Sequence, residues 1–243
     1  MKIEENIKKY LTGEAFNDGG HFDFSDGGVA LDRVELLLDM VQGKEVVHLG
    51  ACDHIGLIEE RRKKGLWLHD KLTDVSAKIV GIDIDTGSVQ LCKKLGVDNI
   101  FAYDITADDT EIKSLLKDKG FEHPVLVAPE MLEHIGNPVF FLESIQKNYS
   151  DVFDKIIITV PCAFKIHNSF YASRGIEEIN TDHRSWFSPY TLMKVCTDAG
   201  LNVTDLYLCR PQQRSRYDKP IRMINRIFKH NIFYDNIVLV AEL

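Results

Sequence analysis

Apolar residues in this chain come in two alternating kinds of segment. Short unbroken runs end at Leu49 and cover 79–84, 99–104, 124–128, 155–160, 203–209 and 236–243. Their length and lack of polar interruption predict strands buried on both faces. Between them lie longer segments that read as helices: 1–10, 31–41, 55–77, 86–95, 109–119, 138–149 and 188–199. Gly43, Gly96, Gly120 and Gly200 supply helix stops, and Gly65 interrupts 55–77. Pro138 opens one helix where a missing N–H costs nothing, and Ser188-Pro189 caps and opens another. Residues 12–28, rich in Gly, Asp and Phe, read as a loop. Strands alternating with helices predict an α/β fold, a mostly parallel sheet with helices on both faces.

Length and charge narrow the class. A chain of 243 residues is one large domain, 1–243, with room for a sizeable core. A formal charge of −8 argues against a general nucleic-acid binder. The five cysteines, Cys52, Cys92, Cys162, Cys196 and Cys209, stand singly, as free thiols in a reducing compartment do. No apolar leader and no apolar stretch of membrane-spanning length is visible, so the expectation is a cytoplasmic protein without a membrane span.

The chemistry concentrates where the first strands end. The first breaks at His48-Leu49-Gly50 and the second carries Asp83. Open α/β sheets bind ligands outside the carboxyl ends of their strands. A glycine there lets a ligand approach the backbone, and an acid can accept two ribose hydroxyls, so the pair points to a nucleoside-containing cofactor. A dinucleotide needs three glycines in the turn. Gly50-Ala51-Cys52-Asp53-His54 keeps one and puts an aspartate where a pyrophosphate would lie. S-adenosylmethionine carries no phosphate and needs no such opening.

The stretch resembles motif I of the class I S-adenosylmethionine-dependent methyltransferases. It departs from that motif at His48, in place of an acid, and at Cys52 and His54, in place of glycines. Further resemblances follow in order. Residues 79–83 resemble the second strand with its ribose-binding acid, with Ile84 beside it. Tyr103-Asp104-Ile105 resembles the place where an acid meets the adenine amino group and an apolar neighbour covers the ring. Pro129-Glu130-Met131-Leu132-Glu133-His134-Ile135-Gly136-Asn137-Pro138 resembles the fourth motif and is the most specific element. Residues 157–161 and 183–201 resemble the fifth strand and a late helix. The resemblance implies a Rossmann-like sheet of seven strands, the last antiparallel and inserted between the fifth and sixth. It implies S-adenosylmethionine as cofactor, held by Gly50, Ala51, Cys52, Asp83, Ile84, Asp104, Ile105 and Pro129. It also implies a lid from residues 1–30, with His21 and Phe22 as candidates, and an insertion, 162–187, over the active site.

Methyl transfer is an in-line displacement at an activated sulfonium, so alignment is the main task and a base near a hydroxyl nucleophile adds to it. The candidates are Glu130, Glu133, His134 and His183. If 130–135 continues helically, Glu130, Glu133 and His134 share a face. In one reading a histidine is the base and the carboxylates orient it or hold a sugar hydroxyl. In another the four side chains bind a divalent cation, as the resembling small-RNA 2′-O-methyltransferases and ubiquinone-pathway O-methyltransferases do. Many relatives with Glu-His here bind none. The plainest alternative is structural, with Glu133 as a cap and His134 packed on the next loop. Cys52 reads as a small buried residue in a glycine's place, and His48 as an imidazole bonded to a backbone group.

From 210 to 230 the sign of the charge reverses, with Arg214, Arg222 and Arg226 among seven basic residues. An amphipathic solvated helix explains this as well as an anionic small-molecule acceptor does. The pattern resembles methyltransferases of bacterial glycan and capsule pathways, which implies O-methylation of a sugar-containing or phosphorylated substrate. A non-catalytic binding protein of this fold, and a lipid or quinone acceptor, stay open, as does homo-oligomerisation.

Overall fold

A computed structural model describes residues 3, 5–24, 32–107, 109–209 and 234–243. The elements in order are α1 (Glu5–Leu11), α2 (Arg33–Val41), β1 (Glu45–Leu49), α3 (Ile58–Lys63), α4 (Leu68–Val75) and β2 (Lys78–Asp83). Then come α5 (Thr86–Lys94), β3 (Ile100–Ala102), α6 (Thr110–Asp118), β4 (Val125–Pro129) and α7 (Pro138–Tyr149). The rest are β5 (Lys155–Pro161), α8 (Ile166–Ala172), α9 (Pro189–Asp198), β6 (Asn202–Cys209) and β7 (Asn236–Glu242). Seven strands form one sheet in the order β3-β2-β1-β4-β5-β7-β6. All pairs are parallel except those of β7, which runs antiparallel to β5 and β6. The architecture expected from the sequence, with the last strand inserted between the fifth and sixth, is the one observed.

Alternation along the strands divides the core into two layers. Val47, Leu126 and Ile156 face the larger layer, which holds Ile112, Leu142, Ile145 and Leu192 from α6, α7 and α9. Val46, Val127 and Ile157 face the other, with Leu37 of α2 and Leu72 of α4. Helix starts follow their caps: Asp32, Asp85, Asn137 and Ser188 each accept a backbone N–H of the turn they open.

Two segments differ from the sequence expectation. Residues 55–77 are two short helices, because Gly65 at φ +62° turns the chain between them. The helical continuation expected across 130–135 is a single 3₁₀ turn, Leu132–His134, and Glu130 stands at φ +50°. A non-glycine residue there is uncommon and ends the strand abruptly. The segment expected as an insertion is closed at both ends by the bridge between Cys162 and Phe187. Among the described residues no helix is long and apolar enough to cross a membrane.

Candidate functional site

The carboxyl ends of β1 and β2 are tied together by backbone bonds. Gly50 N donates to Ile82 O at 2.9 Å, Ala51 N to the same oxygen at 3.3 Å, and Gly50 has φ +62°. Cys52 N donates to Asp83 Oδ2 at 2.8 Å, and Asp85 N to Asp83 Oδ1 at 3.0 Å. Asp83 therefore fixes two turns at the place where it was expected to meet a ribose. Gly81 makes this approach possible: a Cβ there would lie 2.6 Å from Ala51 Cβ and 2.8 Å from Ile100 Cγ1. Sequence reasoning passed over Gly81, although a glycine inside an apolar strand marks a close approach.

The other expected cofactor residues border the same edge. Ile84 is 71% exposed and Ile55, near the start of α5, is 55% exposed. Asp104 accepts from Thr106 N and Oγ1 at 2.9 and 2.7 Å, closing its own turn, and Ile105 is buried. Pro129 is buried opposite Thr159 of β5.

Glu130 parts company with Glu133 and His134. Its N–H donates to Thr159 O at 2.8 Å. Its carboxylate accepts from Thr159 Oγ1 at 3.0 Å and from Asn236 Nδ2 at 3.0 and 3.1 Å. Arg33 Nη1 lies 3.8 Å from it and donates to Thr159 Oγ1 at 3.2 Å. A cavity of about 350 Å³ opens beside this pair, walled by Arg33, Glu130, Pro129, Trp67 and the turn 50–53. Arg33 was not singled out by the sequence. Its partner is distant along the chain, and the only local signal is a cation in the first helical turn before β1.

Glu133, His134 and His183 converge, each offering a ligand atom within 4.8 Å of the others. Glu133 Oε1 is 3.9 Å from His183 Nε2, and the two imidazoles meet edge to face at 4.7 Å. The insertion is laced onto this turn: Arg184 N and Ser185 N donate to Glu133 O at 2.8 and 3.3 Å, and the Arg184 guanidinium donates to His134 O. His134 Nδ1 lies 3.3 Å from Asp182 O and must carry the proton, which leaves the lone pair on Nε2. Glu133 Oε2 and His183 Nδ1 are buried with no hydrogen-bond partner among the described residues. Burial, then the nearby Glu130 charge, pushes the Glu133 carboxyl up to about 8. Burial, then His134, holds His183 below the usual histidine value.

His48 does not bond a backbone group as expected. Its Nδ1 lies 3.1 Å from Nδ1 of His69, whose Nε2 is 3.2 Å from Asn99 Oδ1. Burial, then the second imidazole, keeps His48 well below its usual value and hence neutral. Phe22, a lid candidate, stacks on Tyr190 of α9 at 4.5 Å. It helps line a cavity of about 670 Å³ with Tyr10, Phe16, Phe24 and Phe164. Arg214, Arg222 and Arg226 lie outside the described residues.

No family model and no curated protein matches the chain. Solved structures do. A small RNA methyltransferase HEN1 aligns with 94% of this chain at 14% identity and a TM-score of 0.54, although the chain spans only 26% of HEN1's length. The methyltransferase domain of bacterial CtHen1 aligns with 87% of it, at 14% identity and TM-score 0.50, over 97% of that domain. A structure of the Haloferax volcanii Trm112 methyltransferase activator with a methyltransferase aligns with 86%, at 16% identity and TM-score 0.50, over 87% of the matched chain. At such identities the likeness establishes the fold: a Rossmann-like, seven-stranded sheet of the kind found in S-adenosylmethionine-dependent methyltransferases.

Proposed function

We propose that the chain is an S-adenosylmethionine-dependent O-methyltransferase, one catalytic unit acting on a hydroxyl of a sugar-containing acceptor. The observation that carries this reading is the edge shared by the Gly50–Asp83 cradle and the Glu133–His134–His183 cluster, at the carboxyl ends of β1, β2 and β4. A cofactor site and a proton-handling site side by side are what hydroxyl methylation requires.

The residues divide the cofactor among them. Asp83 takes the ribose, and Ile84 and Ile55 offer exposed apolar surface to a flat base. The methionine end is a zwitterion, and the cavity presents its complement: Arg33 for the carboxylate, Glu130 for the ammonium, 3.8 Å apart. Glu130 thereby moves from the catalytic set to the cofactor set.

The donor set of the cluster fits a divalent cation. One carboxylate and two imidazoles suit Mn²⁺, Fe²⁺, Co²⁺ or Zn²⁺ better than Mg²⁺. The orphaned Glu133 Oε2 and His183 Nδ1 are buried polar atoms that a partner would satisfy. Glu133, His134 and His183 would hold the ion, which supplies a positive charge that makes a bound hydroxyl more acidic. In the absence of the ion, burial holds His183 below the usual histidine value, which leaves it a lone pair to orient a hydroxyl and accept its proton. The aromatic cavity beside Phe164 gives room for an apolar part of the acceptor. The basic stretch around Arg214, Arg222 and Arg226 supplies charge for a phosphate on it.

A second reading is favoured by the two HEN1 likenesses, since one of those proteins is named for small RNA: the sugar hydroxyl would be that of a ribose in a small RNA. The test is transfer of radiolabelled methyl from S-adenosylmethionine to sugar phosphates, nucleotides and short RNA in turn. Turnover should vanish with a chelator, return with Mn²⁺, and be lost in Glu133→Gln and His183→Ala. Full turnover after verified metal removal would refute the cation. Turnover on none of the three classes, in a protein shown to bind S-adenosylmethionine, would refute the acceptor.

A further inference from the structure

We propose that Cys52 and Cys92 are a modification site, closing into a reversible disulfide when the protein meets hydrogen peroxide. Their sulfurs lie 3.7 Å apart although the residues are 40 apart in sequence. Cys52 sits in the turn after β1, half-buried, with its N–H bound to Asp83 Oδ2. Cys92 points from α5 into a small core with Ala51, Ile58, Trp67 and Val89 and is fully buried. One thiol is thus within reach of solvent, and the second waits behind it in fixed packing.

The chemistry divides accordingly. Cys52 sulfur attacks one peroxide oxygen, the O–O bond breaks, and water leaves with the thiol proton, giving a sulfenic acid on Cys52. Cys92 sulfur then attacks that sulfur. The S–S bond forms, the S–O bond breaks, and hydroxide leaves with the Cys92 proton as a second water. Two thiols are oxidised and one peroxide is reduced. The two thiols share one contact in which either sulfur can be the donor, and exposure decides which of them meets the peroxide first.

Closure must bring the sulfurs from 3.7 Å to about 2.0 Å. α5 is held by its packing, so side-chain rotation and the turn absorb most of the change. The turn is the cofactor cradle of the proposed function, on which this consequence rests. Pulling Cys52 toward α5 loosens its 2.8 Å bond to Asp83 and should weaken cofactor binding about tenfold, the loss of roughly one hydrogen bond to a charged group.

The experiment treats the purified protein with hydrogen peroxide and maps its peptides without reduction. Binding of S-adenosylhomocysteine is measured before oxidation, after it, and after dithiothreitol. The expected result is a linked Cys52–Cys92 peptide two hydrogens lighter than its parts, affinity lowered about tenfold, and both reversed by the thiol. Cys92→Ser should bind like the reduced protein and keep its affinity under peroxide. Should that variant fail to fold, the wild-type peptide map decides alone. Finding Cys52 as sulfinic acid, or both thiols free, at peroxide levels that oxidise a surface thiol would overturn the site. A linked peptide in a protein that binds no S-adenosylhomocysteine even when reduced would uphold the modification and refute the cofactor reading instead.

Discussion

Replacing Arg33 with alanine should separate the two ends of the proposed cofactor. Arg33 Nη1 stands 3.8 Å from Glu130, and its side chain is 21% exposed. Two opposite charges at about 4 Å attract by roughly 4 kcal/mol at an effective dielectric near 20. Desolvation and competition from Glu130 offset much of that. What remains is about 1.5–3 kcal/mol, the range for hydrogen bonds to charged groups. Partial exposure places Arg33 toward the lower end, so S-adenosylhomocysteine affinity should fall roughly 10- to 30-fold. The fold should survive, because Glu130 keeps Thr159 and Asn236 as partners. The control is 5′-methylthioadenosine, which has the nucleoside and sulfur but no amino-acid end. Its affinity should change by no more than about twofold, the scatter of a substitution that touches nothing. Calorimetric titration of both ligands into wild type and variant reads the difference. An equal loss for both would mean that Arg33 acts through the turn, and no loss for either would place the methionine end elsewhere.

Asp83→Asn should weaken both ligands, by roughly 1.5–3 kcal/mol, because in the proposed site its carboxylate takes the nucleoside half while it accepts from the Cys52 N–H; unchanged titrations would remove Asp83 from the site. Gly81→Ala drives a methyl to 2.6 Å from Ala51 Cβ and should cost about 1–3 kcal/mol of stability in urea unfolding, with cofactor affinity falling too; a variant as stable as wild type would refute the packing argument. In chelator, Glu133 keeps its proton in the folded state up to about pH 8 but loses it near 4.5 when unfolded, so stability should fall as pH rises through that window. Depressed His183 works in the opposite sense below 6.5, which leaves pH 6.5–8 as the clean range. There the slope is at most about 1.4 kcal/mol per pH unit, and Glu133→Gln should abolish it; identical urea midpoints against pH in both proteins would contradict the burial of this carboxyl.

Legibility in the sequence followed distance along the chain. β1, β4 and β5 are buried on both faces and so left unbroken apolar runs that a single pass can find. Asp83 and Gly50 were legible as the ends of β2 and β1, the edge where sheets of this kind bind ligands, and the structure ties those two ends together. The Glu133–His134 pair was visible as a local motif, and His183 came with the resemblance. Glu130 was misplaced because its partners, Thr159 and Asn236, are 29 and 106 residues away and pull it off the assumed helix. Arg33 meets Thr159 across 126 residues, and His48 meets His69 across 21. No local pattern encodes such pairs. The length of α3 and α4 was overread because Gly65, correctly seen as an interruption, turns the chain outright.

The central claim is that the edge of β1, β2 and β4 binds S-adenosylmethionine. Its most direct test is calorimetric titration of S-adenosylhomocysteine into the reduced protein, beside NAD as competitor. Saturable one-to-one binding in the micromolar range or tighter, untouched by NAD and weakened in Asp83→Asn, is the expected result. Heat with NAD and none with S-adenosylhomocysteine, in a protein that unfolds cooperatively, would contradict the account.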